Sequence, residues 1–254
     1  MNHSPEVLVS PTLERMASVY SLSRAGGVNS PRFLAYRSQV ERHWGLAAFT
    51  PMAGDAAAAA VRALIALCAE DVAAAAAKGV LARCDWRAPL TLAVVLATPG
   101  MWTDRLATEV RHRTNAERRD AHGEILLWAD DPPSVATIER ESIAEAVRTM
   151  WTSLHGSASS LHAVLAREGL AYALAGAAPR HQPDGILVPE AIEVLGDTAA
   201  LGDVVAVLYG DAAAITLGYT PLGLAERAGY GFAIAQAAEL IAMIGAAGAL
   251  RART

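Results

Sequence analysis

The chain has almost no thiol chemistry to offer. Its 254 residues hold two cysteines, Cys68 and Cys84, and no Cys-x-x-Cys pair. That excludes a thiol-rich zinc site, a thioredoxin-like motif and a disulfide framework. Both thiols are expected to be reduced and buried as small hydrophobes. Lysine is scarcer still: of 21 basic residues only Lys78 is a lysine. The net charge is −5, and no dense basic run exists. Arg111, Arg113, Arg118 and Arg119 are interleaved with Glu109, Glu117 and Asp120. A nucleic-acid binder shows a basic stripe, so no nucleic-acid partner is expected. Gly-x-Ser-x-Gly and His-Glu-x-x-His are both absent, which removes the readable serine-hydrolase and zinc-protease signals. Met1 to Leu13 carries neither a positive start nor an apolar run of signal-peptide length. A cytoplasmic protein is the default expectation.

What the chain has in abundance is alanine, 56 residues of 254. Hydrophobic residues reach 53% while charged residues stay at 19%, the opposite of a disordered composition. Alanine is the best helix former, and the fold expected is mainly α: a bundle of about seven helices with a small β element. Apolar periodicity and caps place helices near 11–24, 31–44, 54–83, 101–114, 134–154, 157–175 and 222–250. Ser10-Pro11 and Ser30-Pro31 are helix starts, and Gly26-Gly27 is a stop between them. Residues 1–10 read as an irregular arm and 177–190, with three prolines, as a loop. Residues 54–83 read as one long helix with Val61, Leu64, Ile65, Cys68 and Val72 on its apolar stripe.

Two segments read as strands: 90–97, Leu-Thr-Leu-Ala-Val-Val-Leu-Ala, and 124–128, Glu-Ile-Leu-Leu-Trp. With the helix marked by Trp102, Leu106 and Val110 between them, they fit a βαβ unit. Residues 203–218 fit a hairpin or a broken helix, and their alanines favour helix. The whole chain reads as a single domain, with Asp130-Asp131-Pro132-Pro133 as the one candidate subdomain boundary.

Ala228 to Leu250 carries one charge, Glu239, and four glycines. The stretch has the length of a membrane span, but alanine and glycine give it little transfer energy. It is expected to be a central core helix or a homo-oligomer interface, with membrane association the lesser reading.

Three groups of residues carry candidate chemistry. In Ser21–Arg32 a Gly-Gly turn leads into a capped helix start, where free N–H groups and partial positive charge favour an anion. Arg24 and Arg32 flank Gly26, Gly27 and Ser30 there, making a candidate phosphate or carboxylate site. The plain alternative is an αα corner. Second, Arg105, Glu109 and His112 fall at i, i+4 and i+7 on one helix flank. Glu109 and His112 form a candidate acid–base pair, with Arg105 as a ligand-binding cation. Glu-x-x-His is also a di-iron half-site spacing. No second copy occurs, so no metal is expected. Third, Glu168 and His162 lie beside the apolar residues Leu161, Leu165 and Tyr172, as Glu239 does in the last helix. A buried carboxylate there needs a partner or an open groove.

Gly26-Gly27-Val28-Asn29-Ser30-Pro31 resembles the Gly-Gly-Val-Asn-Ser-Pro motif of glutamate-1-semialdehyde aminomutases over six residues. That family uses pyridoxal phosphate bound to a lysine on a large α/β domain. Lys78, the one lysine, sits in an alanine helix just before Gly79. The resemblance therefore carries no function across, and the cofactor is unknown.

Two readings follow. In the first, a helical protein binds a small anionic molecule bearing phosphate or carboxylate, with enzymatic action on it an option. In the second, a non-catalytic interaction or assembly protein uses the small-residue C-terminal helix as its contact. Convergence of Arg24, Arg32 and His112 on one cavity would favour the first.

Overall fold

The computed structural model describes residues 6–40, 49–100, 104–114, 122–178 and 188–252. Among these the protein is mainly α, with one small parallel sheet. The sheet order is β1 (Val7–Ser10), β2 (Leu90–Ala97), β3 (His122–Trp128). Val7 pairs with Leu90 at one seam and Thr91 with His122 at the other. Strand β2 is the middle strand, covered on both faces, which is why it reads as an unbroken apolar run. β1 corrects the irregular arm expected for residues 1–10. Four residues are too few to show a period, and only pairing with β2 defines the strand.

Helices α1 (Thr12–Tyr20), α2 (Pro31–Val40), α3 (Asp55–Ala66) and α4 (Ala69–Arg83) connect β1 to β2. The expected single helix over 54–83 is two. Cys68 sits at φ 50°, ψ 45°, in the left-handed region, and breaks the run. Alanine propensity is blind to this break; tertiary contact sets it. Past the break, Glu70 accepts from the Leu13 N–H at 2.9 Å and so ties α4 to the start of α1. The break also rotates the stripe: Val61 and Leu64 are buried, whereas Ile65 and Cys68 are exposed. The expectation that both thiols are buried therefore fails for Cys68 and holds for Cys84.

Helix α5 (Arg105–Thr114) joins β2 to β3, which pair in parallel, completing the βαβ unit. Trp102, expected to start that helix, lies outside the described residues, as do residues 41–44 at the expected end of α2. Helix α6 (Val135–His155) starts at Ser134, whose hydroxyl accepts from the Thr137 N–H. Next come α7 (Leu161–Leu174) and α8 (Val188–Leu195); α8 corrects the end of the loop expected over 177–190. Residues 203–218 are a broken helix, α9 (Leu201–Tyr209) and α10 (Asp211–Thr216), hinged at Gly210 with φ 85°. Helix α11 (Ala228–Arg251) closes the chain.

One contiguous apolar core runs from Val7 to Leu250 and includes residues on both sides of 130–133. Its centre is the stack α4 on α6, α6 on α7, and α7 on α11. The first half of α11 is buried there, but its middle is not: Met243 is 73% exposed. The helix kinks at Gly245 (φ 73°) and returns to the core at Ala249 and Leu250. It is long and apolar enough to cross a membrane by length and composition.

Candidate functional site

A cavity of about 620 Å³ lies along β3 and the loop that follows it, walled by α5, α6, the end of α7 and the start of α11. Helix α5 supplies its charged wall. Asp104 starts the helix, its Oδ1 accepting from the Ala107 N–H at 2.7 Å. Val110 then faces the core, and Arg105, Glu109, His112 and Arg113 line the cavity.

Arg105 is fully engaged by the protein itself. Its two Nη atoms donate to the two oxygens of Asp131 at 3.0 and 2.7 Å, and Nη1 also reaches Asp130 at 3.2 Å. Its Nε donates to Glu109 at 3.2 Å, and its plane lies over the Trp128 ring at 5.0 Å. These hydrogen bonds hold the Asp131 carboxyl below its ordinary value. Arg105 thus clamps α5 to the β3–α6 loop. Glu109, almost wholly buried, also lies 3.8 Å from Arg227 Nη2.

His112 Nε2 lies 3.0 Å from the Glu124 carbonyl oxygen. A carbonyl only accepts, so this nitrogen carries the hydrogen and donates. Nδ1 faces the Glu124 carboxylate at 3.7 Å, and Glu145 Oε2 stands 3.8 Å from Nε2. Glu145 Oε1 in turn accepts from the Glu124 N–H at 3.1 Å. Gly123 makes this approach feasible: a Cβ there would lie 2.9 Å from Glu145 Oε1 and 2.7 Å from Thr149 Oγ1.

Behind this wall is a buried charge network. Arg148 holds Glu168 with Nε and Nη2 at 2.9–3.0 Å and Glu145 with Nη1 at 3.3 Å. Arg167 also donates to Glu168, at 3.1 Å, and its Nη2 donates to the Arg113 carbonyl. Burial opposes the charge of Glu168, yet Arg148 and Arg167 outweigh it and bring the carboxyl down to about 2. The partner that Glu168 needs is therefore Arg148, twenty residues earlier on α6. The other polar residues of that third group lie elsewhere: His162 is exposed and pairs with Asp197, and Glu239 is exposed.

Arg113 is the cation that sequence reasoning passed over as a site. Its guanidinium lies 5.2 Å from the centre of the Tyr172 ring and 5.8 Å from that of Tyr230. Nη1 donates to Tyr230 Oη at 3.3 Å, and Tyr230 Oη donates to Tyr209 Oη at 3.2 Å. Burial pushes the Tyr172 hydroxyl up to about 12 despite Arg113 and Arg148 beside it, so it remains a neutral donor, aimed at Glu141 at 3.4 Å. Among the described residues no carboxylate comes within ion-pair distance of Arg113. One signal for this wall was readable: Glu141, Glu145 and Arg148 fall at i, i+4 and i+7, as Arg105, Glu109 and His112 do. Tyr172 and Tyr230 carry no such mark.

The Gly26-Gly27 corner lines no part of this cavity. Gly26 (φ 105°) and Gly27 (φ 59°) make a left-handed turn, and Ser30 Oγ accepts from the Phe33 N–H as the cap of α2. Arg32 is buried and donates to the carbonyls of Tyr20 (2.7 Å), Leu22 (2.8 Å) and Ala53 (3.4 Å). Those carbonyls close the end of α1 and anchor it to the start of α3. Arg24 is exposed at the turn. The structure thus brings Arg105, Glu109 and His112 together and leaves Arg24, Gly26, Gly27, Ser30 and Arg32 apart from them. Among the described residues no cluster of His, Cys, Asp or Glu is arranged to hold a metal. Comparison with protein-family models, with curated proteins and with solved structures finds no match, so the reading of the site rests on its own geometry.

Proposed function

We propose that the chain is a small-molecule-binding protein whose ligand presents an anionic group to the cavity between β3, α5, α6, α7 and α11. The observation that carries the reading is Arg113, a cavity-lining guanidinium beside the rings of two neutral phenols, with no carboxylate among the described residues within ion-pair distance. Removing a charge from water costs several kcal/mol unless something neutralises it. An incoming anion neutralises this one in a fork geometry that suits carboxylate or phosphate. The cavity volume lies within the range of small-molecule sites. In the enzymatic form of this reading Glu109 and His112 act as separate groups of the same wall, Glu109 held by Arg105 and Arg227, and His112 exchanging its proton at Nδ1, which faces Glu124. The test is thermal unfolding with acetate, benzoate, sulfate or phosphate added at fixed ionic strength. At least one anion should raise the melting temperature of the wild type and fail to raise that of Arg113→Met. No shift, or equal shifts in both proteins, would end the reading.

A second reading is favoured by a separate observation. The middle of α11 exposes Ala242, Met243 and Ile244, a surface suited to a contact with another chain. Under that reading the protein associates in solution, and Met243→Asp dissociates it; a monomer by light scattering across micromolar concentrations would exclude self-association.

A further inference from the structure

The charges of the cavity wall narrow the ligand, and this step rests on the anion-binding reading above. Five arginines and five carboxylates line the cavity. Four of the arginines have a carboxylate within 4 Å: Arg105 has Asp131 at 2.7 Å, Arg140 has Glu141 at 3.1 Å, Arg148 has Glu168 at 2.9 Å and Glu145 at 3.3 Å, and Arg227 has Glu109 at 3.8 Å. Arg113 is the fifth. The fifth carboxylate, Glu124, faces His112. Arg113 therefore has room for at most one negative charge, since Glu141 and Glu168 already act on it from farther off. A second would sit close to Glu141, which lies one phenol away through Tyr172. A phosphate monoester carries about −1.5 to −2 near neutral pH, more than Arg113 can match in a wall that already holds five carboxylates.

Apart from His112, Ser134, Thr137 and the two phenols, the rest of the wall is apolar. Leu126, Leu127 and Trp128 of β3, Ile138 of α6 and Ile234 of α11 line the same cavity; Leu126 is half-buried, Ile138 is wholly closed off, and the others show only an edge. A small ion would leave that surface covered by water alone. An apolar body would cover it and gain roughly 25 cal/mol for each Å² removed from water.

We propose that the ligand is a monocarboxylate with an apolar body: its carboxylate pairs with Arg113 beside Tyr172 and Tyr230, and its body lies against Leu126 and the open edges of Trp128 and Ile234. The probes are benzoate and octanoate, with inorganic phosphate as the more highly charged anion and benzamide as the uncharged analogue of benzoate. Titration calorimetry at neutral pH and fixed ionic strength should show benzoate or octanoate binding, with no heat from benzamide or phosphate. Arg113→Met should weaken carboxylate binding roughly tenfold or more, the loss of a charge-assisted pair. Thr137→Trp keeps Arg113 and fills part of the cavity, so it should abolish octanoate binding even if the Arg113 variant fails to fold. Arg113-dependent binding of phosphate in preference to both carboxylates would overturn the monocarboxylate and leave the anion-binding reading standing. Absence of binding by all of these anions would overturn both. Octanoate binding that survives Thr137→Trp would place the ligand elsewhere and overturn the proposal.

Discussion

Glu168 is the residue with the most at stake. It is wholly enclosed, and its two oxygens take donors from Arg148 and Arg167. Glu168→Gln leaves those two buried guanidinium groups facing a neutral amide. We expect a loss of about 3–5 kcal/mol, the range for breaking one side of a buried pair, measured by urea unfolding at neutral pH. The folded carboxyl titrates below its ordinary value of 4.5, at about 2. Its stabilisation is therefore complete above about 4.5 and is lost as the pH falls through about 2. Wild-type stability should fall across that window more steeply than that of the Gln variant. The need for a partner was legible in the sequence, because a carboxylate beside an apolar stripe cannot stand alone. The partner's identity was not: helix spacing places residues on a face and says nothing of which helix packs against it. The cysteines make the same point. Cys84 is buried, and burial pushes its thiol up to about 11, whereas Cys68 is exposed at the helix break. Iodoacetamide should label Cys68 in the native protein and Cys84 only after unfolding; thiol titration in denaturant should find two free thiols.

At the scale of elements, close approach between helices is set by single glycines. A Cβ on Gly169 of α7 would strike the carbonyl oxygen of Ala233 on α11 and lie 2.6 Å from its carbonyl carbon. Backbone cannot yield as a flexible side chain does. Gly169→Ala should cost about 1–3 kcal/mol by overpacking, read as a lowered urea midpoint with an unchanged helical spectrum. Helix α11 itself divides in two. Ala237 is buried and Ala242 exposed, so Ala237→Asp should cost several kcal/mol and Ala242→Asp little. Comparing their melting temperatures checks this. The sequence suggests a helix apolar on nearly all sides, which makes the two positions look alike. The kink at Gly245 and the return of Leu250 to the core are what separate them. Other elements were legible almost to the residue, among them β2 at 90–97 and α6, expected at 134–154 and found at 135–155. β2 shows an unbroken apolar run and α6 a long apolar stripe. β1 is too short to show a period, whereas α8 has one, with Val188, Ala191, Ile192 and Leu195 at i, i+3, i+4 and i+7, that the prolines of 177–190 hid behind a loop reading.

Among the described residues the molecule as a whole is a helical assembly with a small three-stranded sheet, and its cavity depends on its last helix. Arg227, Tyr230, Gly231 and Ile234 all come from the start of α11 or the residue before it, and the helix packs along α7. Truncation before Ala228 removes a wall of the cavity together with part of the core. It should abolish soluble expression, whereas truncation after Arg251 should leave the melting temperature unchanged. The wall opposite rests on β3, which has β2 on one side and no strand on the other among the described residues. A bare strand edge is a template on which a second chain can add a strand. Midway along this one, the Glu124 N–H is taken by Glu145 and its carbonyl by His112. Another polypeptide could pair across that point only by displacing both side chains. The same contacts that shape the cavity therefore also guard the sheet against edge-to-edge aggregation, so substitutions made there to probe binding also weaken a defence against fibre growth.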